Sequence, residues 1–199
     1  SDIDLRVSAI SPASRAILKT AGIWAQLSAG KVSPYEQMCV WQSGNAATGP
    51  HSIHFSAAEL GEPDLGHVIE NRAIREAAWG QVVADLHVFS ASRLATITEE
   101  PEYCSLTFAD GARLNARLVV GADGVNSLVR MQMGVAWREW AHAQSALVAH
   151  VTTGNPHAGT ALQSFLPGGP VALLPLADGR SSLVWSCPTE QAEQLLAMD

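Results

Sequence analysis

The sequence predicts a mixed α/β fold of the α+β kind, in which strand-rich segments are interleaved with a few short helices. Three observations predict it. Apolar residues recur at helical spacing in two segments of the N-terminal half, alternation of apolar and polar residues dominates afterwards, and turn dipeptides separate the alternating segments. A hydrophobic content of 47% in 199 residues excludes intrinsic disorder and is enough for a buried core.

The N-terminal half alternates between strands and helices. An apolar, strand-like segment at 7–10 precedes Ser11 and Pro12, which form an N-cap and first-turn pair, and Gly22 supplies the stop of a short helix. A second helix is predicted over about 70–84, because its apolar side chains form one stripe. Two further strands are predicted in this half, at 38–41 and 53–55.

In the middle of the chain, a predicted strand runs into a glycine-flanked acid. The strands predicted here are 86–89, 94–98, 103–108 and 113–120. The Asp-Gly pair at 110–111 predicts a hairpin, and the continuous apolar run 118–120 predicts a strand covered on both faces. Asp123 and Gly124 follow this run, and a helix is predicted to restart over 125–131.

From residue 145 onward, the chain is predicted to form a strand-rich layer. Short turn sequences at 167–170 and 178–179 separate its strands and favour an antiparallel meander. A last helix is predicted over 190–198, with Thr189 as its cap. The four strands of the layer are predicted at 146–152, 161–166, 171–176 and 181–186.

Composition and motif content exclude several classes of function. Twelve Lys and Arg against nineteen Asp and Glu give a net charge of -7 without a basic run, which disfavours nucleic-acid binding. No stretch approaches the ~18 apolar residues of a transmembrane segment. The three cysteines and seven histidines lack the spacing of a disulfide framework or a metal site, so no metal is predicted. GxGxxG, Walker A, HExxH and GxSxG motifs are also absent.

The strand-to-turn junction at 118–124 is the strongest local feature. A strand that ends in a glycine-flanked acid places a carboxylate at the carboxyl end of a sheet, where open α/β folds bind ligands. Asp123 is then suited to accept hydrogen bonds from ribose or ribityl hydroxyl groups. On these residues alone, an ordinary Asp-Gly turn followed by a solvated Arg130 is the commoner interpretation.

Several sequence blocks along the chain indicate one family when they are taken together. They are RVSAIS from Arg6, GIW from Gly22, LGHVIEN up to Asn71, the segment from Leu118 through Arg130, FLP with GP at 165–170, LLPL and SLVWS. Together they resemble the flavoprotein aromatic hydroxylases of ubiquinone biosynthesis over essentially the whole chain. The GADG stretch is typical of class A flavoprotein monooxygenases broadly, whereas RVSAI and IEN indicate the ubiquinone branch.

The resemblance implies a partial FAD-binding Rossmann-like domain, interleaved with a strand-rich substrate domain built on an antiparallel sheet. Residues 1–40 and 66–140 are assigned to the first domain, and residues 41–65 and 141–199 to the second. In the family, a GxGxxG unit would precede this segment and a second flavin motif would follow it. The chain is therefore expected to be a central fragment that is inactive on its own.

The resemblance also implies which residues meet the cofactor. Arg6 matches an arginine near the ribityl and pyrophosphate region of FAD, where a guanidinium offers several donors. Asn71 matches a polar position on the diphosphate side, beside a helix N-terminus. The alternatives without a cofactor role are that Arg6 is a surface arginine and that Asn71 caps the helix. Asp123 and Gly124 match a block near the flavin that is associated with NAD(P)H use, and Arg130 ends this block, where an ion pair would fix the loop.

The reaction implied by the resemblance is hydroxylation of an aromatic ring. NAD(P)H reduces FAD, dioxygen is activated on the reduced flavin, and the protein supplies orientation and a dry site for a polyprenylated phenol or benzoquinol. Phe165, Leu174 and Trp185 are candidate walls of the substrate pocket, although such side chains in strands are more often core residues. No catalytic acid or base is identified.

A polyprenylated substrate also implies an apolar groove and contact with a membrane surface or with partner proteins. The resemblance implies a cytoplasmic protein, or one peripheral at the inner membrane, with a ubiquinone-biosynthesis protein complex as its partner. Two alternatives stay open. One is a class A flavin hydroxylase of a small soluble aromatic acid, which needs a cation to clamp the carboxylate. The other is a binding domain without a redox role.

Overall fold

The computed structural model of the chain describes residues 3–81 and 86–198. Within these ranges the strands form three sheets of three, six and three strands, and the helices are short, so the predicted α/β class is confirmed. Two compact units are present: Ser1–Val83 with His142–Asp199 is the first, and Ala84–Ala141 is the second. No helix within the described ranges combines the length and apolar character needed to cross a membrane.

The second unit is inserted in the sequence between the two segments that form the first unit. The first unit begins with β1 (Val7–Ile10), α1 (Pro12–Thr20), β2 (Val32–Tyr35), β3 (Gln37–Gln42), β4 (Ser52–Ser56), β5 (Gly66–Glu70) and α2 (Asn71–Trp79). The second unit holds β6 (Leu94–Glu99), β7 (Cys104–Phe108), β8 (Arg113–Ala116) and α3 (Leu128–Gln132). The first unit is completed by β9 (Gln144–Val151), β10 (Thr160–Leu166), β11 (Gly169–Pro175), β12 (Ser181–Pro188) and α4 (Thr189–Leu196).

The three-stranded sheet of the first unit has the order β1-β5-β2, and all of its pairings are antiparallel. β5 is central and buried along its whole length. The strand predicted at 7–10 is confirmed as β1, and the helix predicted after it is confirmed as α1. Ser11 accepts a hydrogen bond from the Ser14 amide at 3.2 Å, and Pro12 is the first residue of α1. α2 begins directly after β5, so residues at the β5–α2 junction meet the start of β1.

The six-stranded sheet has the order β4-β3-β10-β11-β12-β9. The predicted strands are confirmed, and β10, β11 and β12 form the expected meander. β9 pairs with β12 at one edge, and β3 pairs in parallel with β10. The predicted cap of α4 is wrong: Pro188 takes the N-cap position, and Thr189 is the first helical residue, its amide donating to the Ala143 carbonyl at 3.2 Å.

The second unit is built on the antiparallel meander β6-β7-β8, with the predicted Asp-Gly turn between its last two strands. Two strand predictions in this unit are wrong. Residues 86–89 are not in a strand, although Phe89 stacks on Phe108 with ring centroids 6.4 Å apart. The strand predicted to reach residue 120 ends at Ala116, and Leu118 and Val120 are 78% and 76% exposed. The ladder stops there because Ala116 pairs with the first residue of β7.

A buried polar cluster in the first unit is centred on Asp64 and His67. Arg15 Nη1 donates to Asp64 Oδ2 at 2.6 Å, and His67 Nδ1 lies 3.5 Å from Asp64 Oδ1. The Trp24 ring meets the His67 imidazole edge-on at 5.0 Å. Burial lowers the pKa of His67, an effect that Asp64 opposes and Arg15 and Lys19 reinforce.

We expect the free energy of unfolding to fall as the pH drops from about 7.5 to about 5.5, because the unfolded state, with its ordinary histidine pKa of about 6.5, binds more protons than the folded state. His67→Gln should reduce this slope, measured by urea denaturation at several pH values. The exposed His51→Gln is the matched control and should keep the wild-type slope. An unchanged slope in His67→Gln would contradict the assignment.

Candidate functional site

Asp123 lies at an exposed bend in the second unit, where its carboxylate accepts three hydrogen bonds. The Ser127 hydroxyl donates to Oδ1 at 2.6 Å, and the amides of Leu128 and Val129 donate to Oδ2 at 2.7 and 3.2 Å. The Ser127 hydrogen bond, followed by the Val129 amide, lowers the pKa of Asp123 below its ordinary value, so the group is ionised at neutral pH. Of about four acceptor positions on a carboxylate, roughly one stays available for a ligand hydroxyl.

Two glycines shape this bend. Gly124 adopts φ +82°, a left-handed conformation that glycine tolerates, and its carbonyl accepts from the Ser127 amide at 3.1 Å. At Gly121, an added Cβ would lie 2.9 Å from Cβ of Val129, so the backbone passes closely over α3. The predicted glycine-flanked acid therefore has a physical basis: both glycines are needed to turn the chain against the start of α3.

Among the residues that the structure describes, Arg130 fixes the loop through a carbonyl and an aromatic ring and makes no ion pair of the predicted kind. Its Nη2 donates to the Val125 carbonyl at 2.5 Å, and its guanidinium carbon lies 4.5 Å from the centroid of the Trp137 ring. Its amide also donates to the Ser127 hydroxyl at 3.0 Å. The ion-pair prediction is thus replaced by a carbonyl and an aromatic ring. Sequence reasoning missed Trp137, because α3 ends at Gln132 and the contact depends on the path of the chain beyond the helix.

The bend lines a cavity of about 590 Å³ within the second unit. Ser92, Arg93 and Asn126 bring hydrogen-bond donors to its wall, and Asp123 brings the remaining carboxylate acceptor. The other lining residues are Leu94, Val120, Gly121, Ala122, Leu128, Val129 and Met131. This combination of a guanidinium, small polar groups and apolar walls fits a nucleotide cofactor, since guanidinium groups suit phosphate oxygens and the carboxylate suits a sugar hydroxyl.

Arg6 and Asn71 are brought together in the first unit. The Asn71 amide donates to the Arg6 carbonyl at 3.0 Å, and Asn71 Oδ1 accepts from the Ser8 hydroxyl at 2.6 Å. Glu70 holds the N-cap position of α2, so the Asn71 side chain ties the helix to β1 and does not cap it. The Arg6 side chain is exposed and borders a cavity of about 440 Å³.

One side of this second cavity belongs to the six-stranded sheet. Val148 on β9 and Val184 on β12 line it together with residues 4–7. These two valines are directly paired across the strands, so their side chains share one face of the sheet. We call this the Val148 face, meaning the face of the six-stranded sheet that carries Val148, Val184 and the residues in register with them.

The register decides which predicted pocket residues share this face. Phe165 and Leu174 lie on the Val148 face, because Leu174 pairs with Ser182, two positions before Val184, and Phe165 follows the same alternation on β10. Trp185 is one position after Val184 and lies on the opposite face. The structure therefore places Phe165 and Leu174 on the cavity side of the sheet and does not bring Trp185 to them.

Solved structures share this fold. PqsL from Pseudomonas aeruginosa, described as a probable FAD-dependent monooxygenase, superposes with a TM-score of 0.77 at 20% identity, over 96% of this chain and 53% of its own. Klebsiella pneumoniae HpxO, solved with FAD and uric acid, gives a TM-score of 0.72 at 17% identity, over 94% and 48%. At these identities the likeness shows the fold of the chain.

The sequence comparison gives the family. A family model described as FAD binding domain matches residues 4–195, and the chain belongs to this family. Ubiquinone biosynthesis monooxygenase COQ6 of Xenopus tropicalis is 37% identical over 98% of this chain and 43% of its own length. The 3-demethoxyubiquinol 3-hydroxylase of Escherichia coli K12 is 35% identical over 98% and 49%. The resemblance to ubiquinone-biosynthesis hydroxylases and the FAD prediction are confirmed, and the chain spans about half the length of these relatives.

Proposed function

We propose that the chain is the central part of an FAD- and NAD(P)H-dependent monooxygenase that hydroxylates the ring of a polyprenylated phenol or benzoquinol in ubiquinone biosynthesis. One observation carries the proposal: two relatives with ubiquinone-pathway hydroxylase or monooxygenase names are 35% and 37% identical over 98% of this chain. In this proposal residues 1–40 and 66–140 belong to the FAD domain. Residues 41–65 and 141–199 belong to the substrate domain.

Four residues are proposed to hold the cofactor. Arg6 offers an exposed guanidinium to phosphate oxygens, and Asn71, fixed by Ser8, sets the β1–α2 junction beside it. Asp123 offers its remaining acceptor position to a ribose or ribityl hydroxyl, and Gly124 turns the backbone so that a ligand can approach closely. When bound, FAD supplies the electron transfer and oxygen activation, and these residues bind and orient it.

The Val148 face is proposed as the substrate wall, with Phe165 and Leu174 on it. Of the residues described in the six strands, none on this face is Lys or Arg. Ile53, Phe55, Val148 and Phe165, all on this face, are between 36% and 60% exposed. Arg6 is a cation that borders the cavity on this face, and it is assigned here to the cofactor. The exposed apolar side chains of the face therefore favour a phenol with an apolar tail over a small aromatic acid, whose carboxylate needs a cation of its own.

The full-length enzyme tests this proposal. Purified protein should show the visible absorbance of bound flavin, and a prenylphenol should stimulate NAD(P)H oxidation and be recovered with one added hydroxyl. A soluble hydroxybenzoate serves as the comparison substrate and should stimulate NAD(P)H oxidation far less. Preferential hydroxylation of the hydroxybenzoate would favour the aromatic-acid alternative. Absence of flavin under saturating FAD would favour a binding domain without a redox role.

A polyprenylated substrate partitions into bilayers, so the protein is proposed to be cytoplasmic or peripheral at the inner membrane, with ubiquinone-biosynthesis proteins as partners. With a net charge of -7, its binding to anionic lipid should be weak. In flotation assays we therefore expect more full-length protein to float with vesicles that contain a prenylphenol than with plain vesicles. Equal flotation with both would contradict recruitment by the substrate.

A further inference from the structure

Glu70 is a buried carboxylate that connects two distant parts of the first unit. It ends β5, holds the N-cap position of α2 and is 2% exposed. The polar side chain of an N-cap residue often accepts a hydrogen bond from its own helix, but within the described part of the chain Glu70 makes no such bond. Its Oε2 instead accepts from the Asp4 amide at 3.0 Å, 66 residues earlier. The carboxylate therefore serves residues 4–6, which we call the Arg6 segment.

The β5–α2 junction holds the Arg6 segment at both of its ends. The amide of Asn71, the first residue of α2, donates to the Arg6 carbonyl at 3.0 Å. Glu70 binds the amide of Asp4, at the start of the segment. The β1–β5 ladder begins only at Val7, which pairs with Glu70, so the segment lies outside the ladder. The backbone that carries the Arg6 side chain is thus anchored by Glu70 and Asn71.

The charge of Glu70 is offset by two cations other than Arg6. Lys31 Nζ and Arg72 Nη2 lie 3.6 and 3.8 Å from the same carboxylate oxygen. A buried carboxylate is costly unless it is paired, so these two cations help to stabilise it. The Arg6 side chain is exposed, and among the residues that the structure describes its guanidinium has no ion-pair partner. Glu70 can therefore hold the backbone of the segment while the Arg6 guanidinium stays available to an anion.

We propose that Glu70 is a positioning residue for the cofactor site: it holds the Arg6 segment so that the Arg6 guanidinium meets a phosphate group of FAD. The inference rests on the proposed function, in which Arg6 binds the cofactor. Glu70 itself is buried and does not need to touch FAD. A segment that is already ordered loses less conformational entropy when a ligand binds, so its affinity for the ligand is higher. A carboxylate suits this role because charge-assisted hydrogen bonds are stronger than neutral ones.

The test measures FAD dissociation constants of the full-length apoprotein by flavin fluorescence. Glu70→Met, which has a similar length but no acceptor oxygen, should weaken FAD binding by about tenfold. Glu70→Gln should stay within about threefold of the wild type, because its amide oxygen can still accept from the Asp4 amide. Glu76→Gln is the matched control: Glu76 also faces Arg72, at 3.8 Å, but its side chain is exposed on α2, so FAD binding should not change. Wild-type affinity in Glu70→Met would overturn the inference.

A double-mutant cycle shows whether Glu70 acts through Arg6. Arg6→Met alone should weaken FAD binding by about tenfold, and Glu70→Met should add no more than about twofold in that background. A merely structural Glu70 would weaken binding by the same factor with or without Arg6, and that result would overturn the inference. An Arg6→Met variant that binds FAD like the wild type would show a different failure: the assignment of Arg6 in the proposed function would be wrong, and the inference would fall with it.

A pair of variants outside the buried position keeps the inference testable if Glu70→Met does not fold. Asp4→Pro removes the amide hydrogen that Glu70 accepts without changing the buried carboxylate, whereas Asp4→Ala keeps that hydrogen. Asp4→Pro should therefore bind FAD about tenfold more weakly than Asp4→Ala, in the same fluorescence titration. Equal FAD affinities of the two variants would overturn the inference.

Discussion

Replacing Asp123 by Ala in the full-length protein is expected to weaken FAD binding by at least about tenfold, because it removes an ionised acceptor and the contacts that shape the bend. The carboxylate accepts from the Ser127 hydroxyl and from the Leu128 and Val129 amides. Asp123→Asn should weaken FAD binding less, since an amide oxygen can still accept from backbone N–H groups. Flavin fluorescence titration of the apoprotein measures both dissociation constants.

Asp178 provides a matched control for this experiment. It is also followed by a glycine, its carboxylate also accepts local hydrogen bonds, and these and the Arg180 charge lower its pKa. It lies in the turn between β11 and β12 of the first unit. Asp178→Ala should bind FAD like the wild type. If both variants lose FAD equally, the effect belongs to turn stability in general, and Asp123 has no particular part in the cofactor site.

Gly169→Ala is expected to destabilise the protein by about 2–4 kcal/mol, the largest stability effect that we predict for a single substitution. Gly169 begins β11 with φ +138°, and an added Cβ would collide with the Ser186 carbonyl oxygen on β12 and lie 3.0 Å from its carbonyl carbon. Both obstacles are backbone atoms of a paired strand, so neither can move without disturbing the sheet.

Urea denaturation of the full-length protein measures this loss, with Gly154→Ala as the control. Gly154 lies in the β9–β10 loop, and an added Cβ there would meet no atom within 4 Å. That substitution should change the free energy of unfolding by no more than about 0.5 kcal/mol. Similar stability of Gly169→Ala and the wild type would mean that the tight approach of β11 to β12 is relaxed in solution.

Elements with local signals were predictable from the sequence. α1 was predicted at its observed start because Ser11 and Pro12 act within one turn of the helix. The strands of the six-stranded sheet were predicted because short turns punctuate them. β5 was missed, since its five residues are all buried and show no alternation, and it ends in Glu70. That carboxylate is stabilised by distant groups, the Asp4 amide at 3.0 Å and Lys31 at 3.6 Å.

The apolar run at 118–120 shows the limit of pattern reading. A continuous apolar run predicts a strand with both faces covered, but a strand also needs a neighbour to pair with. The ladder of β8 ends at Ala116 because β7 begins at the opposite residue, Cys104. The run therefore has no partner strand within residues 3–81 and 86–198, and it is exposed at Leu118 and Val120. Pairing between distant segments determines whether residues 118–120 form a strand, and the local sequence pattern does not contain that information.

The residues of the candidate site were in part predictable from the sequence, and in part their arrangement depends on strand pairing. Asp123 and Gly124 were singled out by the local strand-to-turn pattern and by the family resemblance, whereas Arg6 and Asn71 were singled out by the resemblance only; the structure adds their contacts. The face on which Trp185 lies depends on register with β11, so its separation from Phe165 and Leu174 could not be read locally.

The most direct measurement is a crystal structure of the full-length protein with FAD bound. The account predicts that Arg6 lies within hydrogen-bond distance of the phosphate or ribityl region of the cofactor. It predicts, as a separate contact, that the free acceptor position of Asp123 meets a cofactor hydroxyl. An FAD that contacts neither residue, with the Asp123 carboxylate facing only solvent and α3, would contradict the account.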